Sequence, residues 1–310
     1  MGTPACSEAG ELRRWRPPYP LDLLATTGPL RRGPADPTNR LDAAGAFWRA
    51  VRTPAGAGTL RLTRSADGFV EARAWGTGAP WLLDGVPDLC GSADDPSSFV
   101  AHHDVLAAAH RRAPGLRLTR TGLVFEQLVP AILEQKVTGK EAFLSWRQLA
   151  SRFGDPAPGP CPPWLRVGPS ARRIREIQDW EWHRAGIDGA RRHAIRAAAV
   201  VAPRLEEAAG MPPPDAVERL CLVRGIGPWT AAEVVQRTLG AADVVSVGDY
   251  HLPSVVGWAL TGEKLDDDGM LGVLAPYAGH RQRAVRLILT SGLGPPRRGP
   301  RATVRSYRAF

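Results

Sequence analysis

Alternation of apolar and polar residues predicts β-structure in the first third of the chain. Residues 59–64 and 69–75 each alternate with a period of two, and residues 65–68, Ser-Ala-Asp-Gly, supply turn chemistry between them. This arrangement is typical of a β-hairpin. We expect a further strand over residues 19–26 and a short helix around residues 47–48.

Beyond this region, apolar residues recur three or four positions apart, which is the spacing of helices with one buried face. Helices are predicted over residues 123–135, 143–153, 171–177, 189–209, 229–239, 250–260 and 277–289, with one more starting at Asp215, where Asp and Glu have capping-box spacing.

The predicted fold class is therefore mixed, a small α/β domain followed by an all-α core. We place the α/β domain at residues 19–110, after an irregular stretch at residues 1–18. The helical domain follows at residues 111–293, and residues 294–310 form a basic tail with the composition of a disordered segment.

Gly225-Ile226-Gly227-Pro228 separates two of the predicted helices. Glycine permits a tight turn, and proline suits the first position of a helix. Such a turn points backbone N–H groups outward at a positive helix terminus, where a phosphate can bind. An ordinary helix–turn–helix corner is the alternative interpretation.

An aspartate, Asp249, stands 22 residues after Gly227 and opens another predicted helix. It can act as a helix cap, and this is compatible with a chemical role because a capping carboxylate is stabilised by the helix terminus. A second corner is predicted before Thr138, which with Glu141 has capping-box spacing and leaves Gln135 and Lys136 exposed.

Composition and charge narrow the classes of function. The net charge is +9, and a basic surface favours a polyanion such as nucleic acid, although arginine richness also follows from a GC-rich genome. The cysteines at positions 6, 90, 161 and 221 form no C-x-x-C pair, which argues against a zinc site, an iron–sulfur cluster or a disulfide framework. With no apolar run of membrane length, we expect a cytoplasmic, nucleoid-associated protein.

We call the turn at residues 225–228 the hairpin. The hairpin, the Trp229-Thr230-Ala231 segment that follows it and Asp249, 22 residues after Gly227, resemble the helix-hairpin-helix superfamily of DNA glycosylases, of the 3-methyladenine DNA glycosylase II type. The resemblance is clearest over residues 115–289. It implies that the hairpin holds the DNA backbone through Gly225, Ile226, Gly227 and Thr230, and that Asp249 is the catalytic carboxylate.

The resemblance also implies that the corner at Gln135 enters the minor groove. Lys136 stands where relatives often have an apolar wedge, and a lysine could contact a phosphate instead. Trp229 stands where relatives that also cut the DNA backbone have a Schiff-base lysine, which implies a monofunctional enzyme that leaves an abasic site.

Trp229 and Glu233 are the predicted base-pocket residues. An indole face can hold a cationic alkylated purine, such as 3-methyladenine, and an acid could attract it. A core position for Trp229 is the alternative, and Glu233 departs from the aromatic residue frequent in relatives. The expected partner is double-stranded DNA with damaged bases, bound by a monomer.

No metal or cofactor is expected from the sequence itself. The resemblance adds one candidate ligand, a monovalent cation bound by the hairpin carbonyls. Two other functions remain open, a non-catalytic DNA-binding protein and a glycosylase for deaminated or oxidised bases.

Overall fold

The computed structural model describes residues 10–296. Its N-terminal part is an antiparallel sheet in the spatial order β1-β5-β4-β3-β2. The five strands are β1 (Glu11–Trp15), β2 (Asn39–Leu41), β3 (Phe47–Thr53), β4 (Gly56–Arg64) and β5 (Val70–Trp75). Short helices accompany the sheet, namely α1 (Leu23–Thr27), α2 (Ala79–Asp84) and α3 (Val86–Leu89).

The predicted hairpin is confirmed as β4 and β5, which pair antiparallel with Leu62 opposite Ala72. Leu60, Leu62 and Val70 are fully buried. They face a core that includes residues of α2 and α3, so the period-two pattern marks the buried face of the sheet.

Three N-terminal predictions were wrong. The stretch expected to be irregular, residues 1–18, contains β1. The strand expected over residues 19–26 is largely the helix α1, because the Asp22 carboxylate accepts a hydrogen bond from the Ala25 N–H and so caps this helix. Phe47 and Trp48 open strand β3 instead of a helix. Both faces of that strand are covered, since Phe47 packs in one core and Trp48 stacks on Trp75 in another, so no alternation is visible in the sequence.

The rest of the described chain is helical apart from a two-stranded ribbon, β6 (Asp155–Pro156) and β7 (Arg166–Val167). The helices are α4 (Asp104–Arg112), α5 (Val124–Leu133), α6 (Gly139–Phe153), α7 (Ala171–Glu176), α8 (Asp179–Arg184), α9 (Gly189–Val200), α10 (Ala202–Glu206), α11 (Pro213–Cys221), α12 (Pro228–Leu239), α13 (Leu252–Thr261), α14 (Asp267–Leu274) and α15 (Arg281–Ser291).

Most predicted helices match these within a few residues, and the capping box of Thr138 and Glu141 is present at the start of α6. Two differences have a proline as their cause. The helix predicted over residues 189–209 is divided into α9 and α10, because Pro203 lies in the first turn of α10 and favours the start of a new helix there. Helix α11 begins at Pro213, ahead of Asp215, and no side chain caps it.

The helices enclose two cores. One surrounds α5 and includes residues of α6, α9, α11 and α12, among them the fully buried Leu128 and Ile132. The other joins α4 to α13, α14 and α15. The predicted domain boundary at residue 110 therefore falls within α4, a helix that packs with the C-terminal helices.

Between residues 10 and 296, no helix is long and apolar enough to cross a membrane. Of the predicted terminal segments, residues 1–9 and 297–310 lie outside the described part of the chain.

Candidate functional site: a glycine hairpin and a capped aspartate beside a cavity

Helices α11 and α12 meet in a tight turn in which the two glycines have different roles. Gly225 has φ +90°, and a β-carbon there would lie 2.8 Å from the β-carbon of Ala194 on α9. Gly227 has extended backbone, φ −100° and ψ 178°, so the predicted need for positive φ applies only to Gly225. A β-carbon at Gly227 would meet nothing within 4 Å, which leaves open space at the N-terminus of α12.

Pro228 occupies the first turn of α12, as predicted. The side chain of Ile226, a predicted DNA-binding residue, is instead buried and anchors the turn in the core around α5. Helix α12 therefore presents the N–H groups of its first turn at an open surface, a geometry that suits an anion.

Asp249 lies in the loop between α12 and α13, and three donors hold its carboxylate. Its Oδ1 accepts hydrogen bonds from the backbone N–H groups of His251 and Leu252, both at 2.8 Å. Its Oδ2 accepts a hydrogen bond from the indole Nε1 of Trp229 at 3.0 Å. The predicted N-cap position of Asp249 is wrong, because α13 starts two residues later than expected and its N-cap is His251. The Asp249 carboxylate still accepts from the N–H of Leu252, the first residue of α13, and it has one fixed orientation.

The corner between α5 and α6 contacts the hairpin directly. The Gln135 Nε2 donates to the Gly225 carbonyl at 3.0 Å and to the Thr230 hydroxyl at 2.8 Å. Lys136, next to it, is exposed and has φ +55°, the only positive φ outside glycine among the described residues. Gln135 therefore joins the two predicted DNA-binding motifs into one surface, with its amide nitrogen bound inside the protein.

A cavity of about 250 Å³ adjoins Asp249, and we call it the Asp249 cavity. It lies where α12, α13 and α15 meet. Its lining residues are Pro29, Arg117, Leu118, Thr119, Glu233, Gln236, Arg237, Ala241, Ser246, Asp249, His251, Leu252, Val255, Gln282, Val285, Arg286 and Leu289. Trp229 is absent from this lining in the described structure, so its indole lies beside the carboxylate instead of forming the cavity wall.

Glu233 lines the cavity but is not a free acid. Its carboxylate forms an ion pair with Arg237 at 2.8 Å and accepts a hydrogen bond from the Ser246 hydroxyl. Burial acts to raise the pKa of Glu233, but the charge of Arg237 and the Ser246 hydrogen bond outweigh it and hold the pKa below its ordinary value. The expectation of an acid available to a cationic base is corrected, because the charge of Glu233 is already neutralised by Arg237.

The sequence reasoning missed several polar cavity residues, chiefly Gln236, Ser246, Gln282 and Arg286. Gln282 is 5% exposed although it lies in a helix rich in arginine. The sequence signal that could have found it is a polar residue on the apolar face of an amphipathic helix, since Val285 and Leu289 lie on the same side.

Three of the carbonyl oxygens at the hairpin already accept hydrogen bonds, that of Gly225 from Gln135, that of Val223 from the Ile226 N–H and that of Gly227 from the Ala231 N–H. A monovalent cation on the other hairpin carbonyls stays a prediction. Within the described ranges, no group of three or more His, Cys, Asp or Glu side chains could hold a metal ion.

Comparison with known proteins gives one sequence relative of note. The probable bifunctional transcriptional activator/DNA repair enzyme AlkA of Mycobacterium tuberculosis is 30% identical over 224 residues, which are 67% of this chain and 43% of that protein. The chain thus spans less than half the length of the curated relative. No family model matches the present chain.

Solved structures resemble nearly the whole chain. A 3-methyladenine DNA glycosylase from Archaeoglobus fulgidus matches with a TM-score of 0.72 at 17% identity, over 90% of this chain and 98% of that one. The 8-oxoguanine glycosylase/lyase of Clostridium acetobutylicum, in complex with double-stranded DNA containing cytosine opposite 8-oxoG, matches with a TM-score of 0.67 at 10% identity, over 92% and 99%. At these identities the likeness is one of fold.

Proposed function

Because the chain belongs to the helix-hairpin-helix DNA glycosylase superfamily, we propose that it hydrolyses the N-glycosidic bond of a damaged base flipped out of double-stranded DNA. The observation that carries the proposal is the Asp249 carboxylate, which three N–H donors fix on the wall of a cavity of about 250 Å³. A non-catalytic DNA-binding protein would need the hairpin but neither the oriented carboxylate nor the cavity.

The chemistry follows from the charge that develops on the sugar. As the bond between C1′ and the base nitrogen breaks, its electron pair goes to the base and C1′ becomes positive. A carboxylate fixed beside that carbon stabilises the charge and takes the proton of the water whose oxygen bonds to C1′. The base enters the Asp249 cavity, and the DNA is left with an abasic site.

The DNA backbone binds at the hairpin and the adjacent corner. The N–H groups at the start of α12 face a phosphate in the space that Gly227 leaves open, and Lys136 adds a charge on the same surface. Both contacts are independent of base identity, so binding is expected to depend steeply on salt concentration.

The cavity composition supports a monofunctional enzyme. Lys136, Lys140 and Lys264 are the only lysines of the chain, and none of them lines the Asp249 cavity. Without an amine there, no Schiff base with the sugar forms. Borohydride should therefore trap no covalent complex between the wild-type protein and a DNA duplex containing a damaged base.

Alkylated purines of the 3-methyladenine type are the substrates suggested by the names of the relatives. Of the two residues expected to recognise them, Trp229 donates its N–H to Asp249 and Glu233 pairs with Arg237. Support for this substrate class therefore comes from the relatives, and the substrate has to be found with a panel of lesions.

The test compares wild type with Asp249→Asn on duplexes that each carry one damaged base. Asparagine keeps the size of the side chain and an oxygen that can accept the capping hydrogen bonds, but it removes the charge. We expect release of the base to fall at least a hundredfold, about 2.7 kcal/mol of transition-state stabilisation, while DNA binding changes little. A wild-type protein that binds every duplex and frees no base would overturn the proposal.

A further inference from the structure

A second cavity lies on a different face of α15 from the Asp249 cavity. It has a volume of about 450 Å³, and we call it the Phe99 cavity. Val285 and Arg286 of α15 line the Asp249 cavity, whereas Arg283 and Leu287 line the Phe99 cavity. Its other walls come from the end of α4, the segment that follows α4 and the loop that precedes it. The proposed reaction at Asp249 makes no use of this space.

Three arginines and no carboxylate line the Phe99 cavity, namely Arg111, Arg117 and Arg283. The charge of Arg283 is balanced inside the protein, because it forms an ion pair with Asp94 in which both side chains are 2% exposed. The other Asp94 oxygen accepts a hydrogen bond from the Leu118 N–H at 3.0 Å, so both oxygens of this carboxylate are engaged. The charges of the other two arginines remain.

Arg117 is buried without an anion to balance its charge. It is 8% exposed, and its Nε has no hydrogen-bond partner among residues 10–296. No carboxylate of those residues forms an ion pair with its guanidinium, which lies over the ring of Tyr19 at 4.4 Å from the ring centroid. An aromatic ring offsets only part of the cost of burying a cation, so Arg117 favours an anion in the cavity that it lines.

The positive charge at this cavity also acts on its neighbours. Burial lowers the pKa of His110, which lines the cavity, and the charges of Arg283 and Arg117 lower that pKa further. The pKa of Arg283 is lowered chiefly by burial, and the charge of Arg117 acts in the same direction against the attraction of Asp94. Like charges therefore lie close together here, an arrangement that a bound anion stabilises.

Most of the remaining lining is apolar, with Phe99, Leu116 and Leu287 as its largest members. The Phe99 ring packs against those of His110 and Tyr277, with centroids 5.3 and 5.8 Å away, so this wall is formed in advance. The volume of about 450 Å³ lies within the range of small-molecule sites, roughly 300–1,000 Å³. An inorganic phosphate ion would leave most of this space unfilled, which favours a ligand with an apolar body beside its anionic group.

We propose that the Phe99 cavity is a second binding site, for a phosphomonoester attached to an apolar ring, as in a nucleoside monophosphate. Arg117 and Arg111 bind the phosphate, while Leu116, Leu287 and the Phe99 ring contact the ring of the ligand. A phosphomonoester carries close to two negative charges at pH 7, which matches the two arginines without a carboxylate partner among residues 10–296. A carboxylate or a phosphodiester carries only one.

Calorimetric titration of the full-length protein at low salt tests the proposal with three compounds, adenosine 5′-monophosphate, adenosine and inorganic phosphate. We expect the nucleotide to bind with a Kd below about 1 mM, and the other two to bind at least tenfold more weakly, because each lacks half of the contacts. Adenosine that binds as tightly as the nucleotide would show that the arginines are not used. Phosphate that binds as tightly would show that the apolar wall is not used. Either result, or no binding of the nucleotide, would overturn the proposal.

Arg111→Gln and Arg112→Gln form a matched pair of variants. Both residues are exposed in the last turn of α4, but only Arg111 lines the cavity. Arg111→Gln should weaken nucleotide binding at least fivefold and Arg112→Gln less than twofold, while Arg117→Met should weaken it at least tenfold. Equal effects of the two α4 variants would reduce the binding to a general attraction between a basic surface and an anion, and the proposal would fail.

Two histidines report which cavity the nucleotide occupies, since His110 lines the Phe99 cavity and His251 lines the Asp249 cavity. In NMR spectra, the imidazole signals of His110, assigned through His110→Gln, should shift on addition of the nucleotide and those of His251 should not. Arg286→Gln, which removes a cation from the Asp249 cavity, should leave nucleotide affinity unchanged. The reverse pattern would place the nucleotide in the Asp249 cavity and overturn the proposal, whatever the outcome of the base-release assay.

Discussion

At the scale of single residues, Trp229 supports the carboxylate on which the proposed chemistry depends. Trp229→Phe keeps an aromatic ring but removes the N–H that donates to Asp249 Oδ2 at 3.0 Å. A hydrogen bond to a charged group contributes about 1.5–3 kcal/mol, so the rate of base release should fall tenfold or more. DNA affinity, measured by fluorescence anisotropy, should change less than twofold. An unchanged rate would show that the two backbone N–H donors alone position Asp249.

The sequence was sufficient to propose Asp249 as a functional residue but not to identify the polar residues that line the cavity beside it. Asp249 is found because its motif is local, a glycine turn followed at a fixed distance by an aspartate. Gln282 is not, since its orientation depends on a hydrogen-bond chain that joins α12, the loop at Ser246 and α15. The contacts of Glu233 show the same limit of sequence analysis. Its ion-pair partner Arg237 is four residues away on the same helix, but its hydrogen bond with Ser246 joins α12 to a separate loop.

At the scale of elements, the corner between α5 and α6 has a lysine in a conformation that favours glycine. Lys136→Gly should raise the free energy of unfolding by about 1 kcal/mol, because φ +55° strains a residue with a β-carbon. The same change removes a charge from the predicted DNA surface, so affinity should fall and the salt dependence of binding should lose about one unit of slope.

Lys140→Ala provides the matched control for Lys136→Gly, since it removes an exposed charge in the first turn of α6 without relieving backbone strain. Stability should then stay the same or rise by less than about 0.5 kcal/mol, because a cation is unfavourable at a helix N-terminus and alanine is a good helix former. If Lys136→Gly stabilises the protein but leaves the salt slope intact, the strained corner is not a phosphate contact.

Elements with a single buried face were predictable, and those covered on both sides were not. Hairpin β4–β5 and helix α6 have clear periods because one face meets the core. Strand β3 lacks one, since Phe47 and Trp48 are buried on opposite sides, and it was predicted to be helical. Pro203 and Pro213 moved helix boundaries, as a proline in the first turn can start a helix that periodicity alone would place elsewhere.

At the scale of the whole molecule, the sheet and the helices are held together by buried polar contacts that no local pattern could predict. Arg32 lies 3.0 Å from the Glu134 carboxylate, and the Trp146 indole donates to Asp36 at 3.2 Å. Arg49 of β3 pairs with Glu126 of α5 at 2.6 Å. The N-terminal part, predicted to be an accessory domain, is therefore attached to α5, the helix that leads to the corner at Gln135.

Arg49→Met tests this attachment, because it leaves the Glu126 carboxylate without its cation. The Arg49 side chain is 2% exposed and that of Glu126 is 17% exposed, and breaking a buried pair from one side costs about 3–5 kcal/mol. In urea denaturation followed by circular dichroism, we expect a loss of this size in one cooperative transition for sheet and helices together.

Arg52→Met on the same strand is the control for that measurement. The Arg52 side chain is 40% exposed and pairs with Asp155, which is 62% exposed, so its loss should cost less than about 1 kcal/mol. Arg49→Met combined with Glu126→Leu should recover much of the stability, since no unpaired charge remains. Equal small losses for Arg49→Met and Arg52→Met, or separate transitions for sheet and helices, would mean that the two parts fold independently and that the sheet does not support the site.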